Sequence, residues 1–181
     1  MNYYGYFDGI YGVKTGFTGN AGRCLVSACK KGTLDIIVVV LGAGTKKQRT
    51  VDSINLINYA FNNFEMKDLK GIIDSNFFSF INNSSKNIKL KNSNSKLEIE
   101  IESLDNYIIP VNKKFANNLN TKIYTLSILE APIADNTKIG VLTIYENENI
   151  LLNLDIYLAK PVNKNSILEN FKIILKSFAY I

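Results

Sequence analysis

Between Leu34 and Leu41 the chain carries Ile36-Ile37-Val38-Val39-Val40, an unbroken β-branched run bounded by Lys30-Lys31-Gly32-Thr33 on one side and Gly42 on the other. β-Branched side chains are stiff at χ1 and crowd a helix, so the run reads as a strand, and its lack of alternation predicts one covered on both faces. Upstream, Arg23 to Cys29 reads as a second strand and Tyr11 to Gly16 as a third, with Gly19-Asn20-Ala21-Gly22 as the loop between them. Three strands with short connections make an antiparallel meander. From Lys46 to Phe64 the period becomes helical: Val51, Ile54, Ile57, Phe61 and Phe64 recur three or four apart, with Ala60 beside them. That helix is expected to lay its apolar face on the meander as core.

After Glu65 the composition shifts to Asn, Ser and Lys, with Phe77-Phe78-Ser79-Phe80 as one apolar knot. Leu97-Glu98-Ile99-Glu100-Ile101-Glu102 alternates as a strand with one wet face should, and its glutamates read as that solvated face. Further alternating runs lie at Lys122 to Leu129, Ile139 to Tyr145 and Ile150 to Leu158. Short strands with polar turns and no intervening helix predict a small all-β sandwich. The tail, Ser166 to Ile181, sets Ile167, Leu168, Phe171, Ile174, Leu175 and Phe178 on one helical face, with Glu169, Lys172 and Lys176 off it. It is too short and too charged to span a bilayer, which needs about 20 apolar residues, but suits an in-plane anchor as well as it suits packing on the protein. The expected class is α+β: a strand meander with a packed helix over 1–65, a β-sandwich over 66–162 and an amphipathic helix, a candidate membrane anchor, over 163–181.

The chemistry open to such a chain is narrowed by what it contains. Among 181 residues there is no histidine, so neither a Ser-His-Asp triad nor a His-ligated zinc can be built. The net charge of +5 comes from lysines scattered among asparagines, not from a dense basic tract with interleaved aromatics, which argues against nucleic acid as a partner and leaves mild attraction to an anionic wall or lipid surface. Cys24 and Cys29 are five apart in one strand, so they face opposite ways and read as small buried residues. Met1-Asn2-Tyr3-Tyr4-Gly5-Tyr6 has no basic start and no apolar segment, hence no signal peptide is expected.

Chemistry concentrates in Asp8-Gly9-Ile10-Tyr11-Gly12-Val13-Lys14-Thr15-Gly16-Phe17-Thr18. A cation, a hydroxyl and a residue without a side chain in succession present charge and a donor to an anion while letting it approach the backbone. Taken with Ala21-Gly22-Arg23-Cys24-Leu25-Val26, Val39-Val40-Leu41-Gly42 and Arg49 ahead of Asp52-Ser53, this stretch resembles the end of the penicillin-binding domain of serine D-alanyl-D-alanine carboxypeptidases. Ala131-Pro132-Ile133, Ile139-Gly140-Val141-Leu142 and Ile156-Tyr157-Leu158-Ala159 are similar to the β-domain that follows it, so the likeness is to a C-terminal portion only.

The resemblance implies a hydrolase that trims the terminal D-alanine from peptidoglycan stem peptides through an acyl-serine, on the outer face of the cytoplasmic membrane. Stem peptide and β-lactams would be the partners of the complete enzyme; no metal and no cofactor is implied. Lys14 would supply positive potential and Thr15 a hydrogen bond to the substrate carboxylate, Gly16 would leave room, and the backbone N–H of Phe17 would be one oxyanion-hole donor. The S-x-x-K nucleophile motif is expected to be absent. Ser27-Ala28-Cys29-Lys30 and Ser93-Asn94-Ser95-Lys96 spell it, and Ser53-Ile54-Asn55 and Ser85-Lys86-Asn87 spell S-x-N, but a strand, a turn, a helix interior and a loop are the wrong settings. The chain alone is therefore expected to be inactive. The alternative is a non-catalytic wall- or membrane-associated β-sandwich module that binds or positions.

Overall fold

The computed structural model describes residues 7–178 and divides into two compact units. The first contains residues up to Asp68 together with Ile108–Asn117; the second contains Leu69–Tyr107 and everything from Asn118 onward. The first unit thus takes back a segment that a linear reading leaves in the second half.

In the first unit, β1 (Ile10–Thr18), β2 (Gly22–Lys31) and β3 (Leu34–Ala43) form an antiparallel sheet in the order β1-β2-β3. Helix α1 (Lys46–Asn63) starts at Thr45, whose hydroxyl accepts from Gln48 N, an N-cap that satisfies one orphan donor of the first turn. It covers one face of the sheet, and Leu25, Cys29, Val38, Val40, Ala43 and Ile57 make the core between them. The stripe it buries is Thr50, Ser53 and Ile57; Val51, expected in the core, is exposed. The small hydroxyl residues suit this contact because both are satisfied: Thr50 Oγ1 donates to Lys46 O, and Ser53 pairs with Ser27 of β2. The other face of β3 is not covered as its β-branched run predicts. Ile37, Val39 and Leu41 are 72%, 52% and 72% exposed, and Val26 on β2 lies beside Val39. Beyond α1, β4 (Phe64–Asp68) pairs with β7 (Ile108–Asn112), and the Lys67 ammonium donates to Ala116 O.

The second unit opens with α2 (Lys70–Ser79), a helix not foreseen in this Asn- and Ser-rich stretch. It runs into a π-helical turn at Phe80–Ser84 and a 3₁₀ turn at Ser85–Asn87, so the Phe77–Phe80 knot is helical. Strands β6 (Ile99–Ile101), β8 (Leu119–Thr125), β10 (Lys138–Glu146) and β11 (Asn149–Leu158) form an antiparallel sheet ordered β6-β11-β10-β8. The short β5 (Lys89–Lys91) and β9 (Ile128–Glu130) pair in parallel. Alternation decides the faces: Leu142, Ile144, Leu154, Ile156 and Leu158 are fully buried, Asp155 and Tyr157 between them are partly exposed, and Thr143 is the buried exception on the opposite face. Gly140 is required where β10 bulges against β11, since a Cβ there would collide with Tyr124 O on the neighbouring β8.

The chain continues into α3 (Ile167–Phe178), entered through a reciprocal cap in which Glu169 N donates to Ser166 Oγ and Ser166 N donates to Glu169 Oε2. Ile167, Leu168, Phe171 and Leu175 on it are exposed. The expected continuation over Ala179–Ile181 lies outside the described residues. No helix among the described residues is long and apolar enough to cross a membrane.

Candidate functional site

Lys14, Thr15 and Gly16 stand in sequence on β1, opposite Val26, Leu25 and Cys24 of β2. Residues directly opposite in an antiparallel pair share a face, so Lys14 and Gly16 belong to the face bearing Val26 and Cys24, away from α1, while Thr15 belongs to the α1 side. α1 packs over β2 and β3, and the whole triplet is exposed. β1 is also an edge strand, bonded to β2 along one side only, and an edge strand leaves backbone donors and acceptors turned outward. The cation on one face and the hydroxyl on the other thereby flank the same outward main-chain edge.

Lys14 Nζ donates to Thr15 O at 3.1 Å, and among the described residues no carboxylate pairs with it. A Cβ at Gly16 would meet nothing nearer than Cys24 Cβ at 3.7 Å, an ordinary contact, so the fold itself does not demand glycine there. Clearance on the solvent side is what the missing side chain provides. Phe17 is 62% exposed, with the Arg23 guanidinium 4.7 Å from its ring centroid, a second cation just past the triplet.

From α1, Arg49 Nη1 donates to the carbonyl of Cys24, the residue opposite Gly16, at 3.5 Å, while its Nε is buried with no partner among the described residues. Sequence alone gives no sign of this, because the contact joins residues 25 apart through the helix–sheet packing. The perturbed groups of this sheet have local causes: Tyr11 donates to Asp35 Oδ1 at 2.8 Å, which pushes its phenol up, and burial pushes the Cys29 thiol up.

The serines of the other motifs are structurally engaged. Ser27 lies in β2 and Ser53 inside α1, both fully buried, with their hydroxyls 3.0 Å apart. Ser93, in the loop after β5, donates to Ser95 Oγ at 3.1 Å, and Ser85, in the 3₁₀ turn, donates to Ile81 O at 2.6 Å. Neither S-x-x-K opens a helix, so neither brings serine and lysine onto one helical face.

Comparison with known proteins places these features in context. A family model described as D-alanyl-D-alanine carboxypeptidase matches residues 2–45, and one described as penicillin-binding protein 5, C-terminal domain, matches residues 80–164. The curated D-alanyl-D-alanine carboxypeptidase DacF of Bacillus subtilis (strain 168) is 29% identical over 147 residues, 81% of this chain and 35% of the relative, so the chain spans about a third of that protein's length. Among solved structures, the D-alanyl-D-alanine carboxypeptidase DacD from Francisella tularensis superposes with a TM-score of 0.61 at 24% identity, covering 88% of this chain and 38% of its own. Penicillin-binding protein 5 from Haemophilus influenzae gives 0.55 at 19%, covering 84% and 43%. The two structures share the fold. In sequence, the likeness to the C-terminal portion of serine D-alanyl-D-alanine carboxypeptidases holds in both segments.

Proposed function

We infer that this chain, similar in both its segments to the C-terminal portion of serine D-alanyl-D-alanine carboxypeptidases, supplies the substrate-binding wall of such an enzyme, with a nucleophile that is none of its own motif serines. The observation that carries the reading is the exposed Lys14-Thr15-Gly16 triplet on an edge strand whose lysine is unneutralised by any described carboxylate. In the reaction, a serine attacks the carbonyl before the terminal D-alanine, the D-alanine leaves as amine, and water releases the acyl group. Lys14 draws the substrate's terminal carboxylate, Thr15 hydrogen-bonds it, Gly16 leaves the backbone approachable and the Phe17 N–H donates to the developing oxyanion. The uncovered apolar face of Val26, Ile37, Val39 and Leu41 supports a sheet that belongs to a larger domain. The setting is the outer face of the cytoplasmic membrane, with α3 as an interfacial helix.

The test is labelling by a fluorescent penicillin. The chain alone should form no covalent adduct, because its motif serines are structurally engaged. A chimera in which residues 8–64 replace the matching segment of the Bacillus relative should be acylated stoichiometrically. An adduct on any serine of the isolated chain, or a folded chimera that stays unlabelled, would overturn the reading. The second outcome would favour a non-catalytic module, which the engagement of Ser27, Ser53, Ser85 and Ser93 also fits.

A further inference from the structure

The second unit carries another concentration of polar chemistry, on the side of its sheet away from the core. There Lys122 of β8 stands opposite Thr143 of β10, and Asn120 opposite Tyr145. The Lys122 ammonium lies 5.4 Å from the centroid of the Tyr145 ring. Thr143, two positions before Tyr145 on the same face of β10, is buried. Where β8 begins and the β10–β11 hairpin turns, at Asn147 with φ 57, the surface sinks into a hollow of about 380 Å³. Asn120, Thr121, Lys122, Tyr145, Asn147 and Glu148 line it.

The lining discriminates between ligand classes. One ammonium and one carboxylate leave it without net charge, so a phosphate or polyanion gains from Lys122 and loses to Glu148. An apolar ligand finds no aliphatic wall. Two carboxamides, two hydroxyls and the two charged ends offer donors and acceptors in mixture, beside a single aromatic ring. That combination matches a pyranose, whose hydroxyls need both kinds of partner and whose C–H face can lie on the negative face of an aromatic ring. The volume falls in the range of small-molecule sites, roughly 300–1,000 Å³. Because β8 is the last strand of its sheet, a chain of sugars could continue past the hollow. We propose that this hollow is a glycan subsite that takes an uncharged hexopyranose within a longer chain. It goes beyond the peptidase reading and does not depend on it.

The experiment titrates the isotope-labelled full chain with a soluble β-1,4-linked tetramer of N-acetylglucosamine and follows backbone amide resonances. Saturable shifts are expected at Asn120, Lys122, Tyr145 and Asn147. Tyr145→Ala should weaken binding by at least about tenfold, Tyr145→Phe by only a few-fold because the ring remains, and the exposed Lys122→Gln by about three-fold. Tyr157→Ala, on β11 and outside the hollow, should bind as the parent does. No saturable shift at millimolar tetramer, shifts clustered elsewhere, or parental binding by folded Tyr145→Ala or by Lys122→Gln would each overturn the proposal.

Discussion

Ser27 and Ser53 show how a residue pattern can spell one chemistry and perform another. Each begins a triplet or quartet read in penicillin-recognising enzymes, yet the two hydroxyls face each other 3.0 Å apart in the closed core of the first unit. Removing either leaves the other buried without its partner, a loss of about 1–3 kcal/mol, whereas removing both deletes the requirement along with the bond. In urea denaturation, Ser27→Ala and Ser53→Ala should each destabilise the chain by that amount, and the double variant by clearly less than their sum. Strict additivity would show that the hydroxyls do not depend on each other. Lys14 is the opposite case, a charged residue with no described counter-charge, and that difference in partnership separates the candidate site from its look-alikes.

At the scale of elements, periodicity made the meander, α1 and the strands β10 and β11 legible, because each keeps one buried face over many residues. What it missed has physical causes. α2 begins at Lys70-Gly71 with Leu69 at the cap and no side-chain cap bond, so none of the usual start signals is written there. The β4–β7 pair joins residues from 40 (Asp68 with Ile108) to 48 (Phe64 with Asn112) positions apart, one segment carrying Pro110, and nothing local announces it. The β-branched run of β3 promised burial on both faces, but periodicity cannot say whether a second covering layer is present. The Lys14 triplet was legible because motif order is a property of sequence; Arg49's bond to Cys24 O was not, because it is a property of packing.

Two elements yield measurable expectations. Across the β10–β11 pair, Lys138 Nζ lies 2.6 Å from Asp155 Oδ1, and this contact holds the Asp155 carboxyl below its ordinary range and the Lys138 ammonium above. The ion pair's stabilisation is therefore present at neutral pH. It is lost as pH falls through the depressed Asp155 value, below about 3.9, and again as pH rises past the ordinary lysine value of about 10.4. The stability gap between the parent and Asp155→Asn should accordingly be flat from mildly acid to mildly alkaline pH and close at both ends; a gap that widens in acid would contradict the pairing. For α3, the exposed Ile167, Leu168, Phe171 and Leu175 predict weak co-sedimentation with anionic vesicles that deletion of residues 166–181 abolishes. Unchanged sedimentation after deletion would remove the helix from the account.

The molecule as a whole has two units, one an open sheet carrying the triplet and the other built on its own four-stranded sheet, each with its own core. The scattered net charge of +5 and the absence of histidine exclude several chemistries, but they name none; the assignment stands on the triplet and its exposure. Its central claim is that Lys14 recognises a substrate carboxylate in a way that also helps the transition state, by anchoring the carbonyl against the oxyanion donors. The most direct measurement is the acylation rate of the chimera carrying residues 8–64, with a peptide ending in a free D-alanine carboxylate and with its C-terminal amide, for the parent and for Lys14→Ala. A charge-assisted contact is typically worth about 1.5–3 kcal/mol, so Lys14→Ala should slow acylation by the acid roughly ten- to hundred-fold while leaving the amide nearly unaffected, erasing most of the parent's preference. An acid-to-amide ratio that survives the substitution would contradict the assignment of Lys14 to the carboxylate.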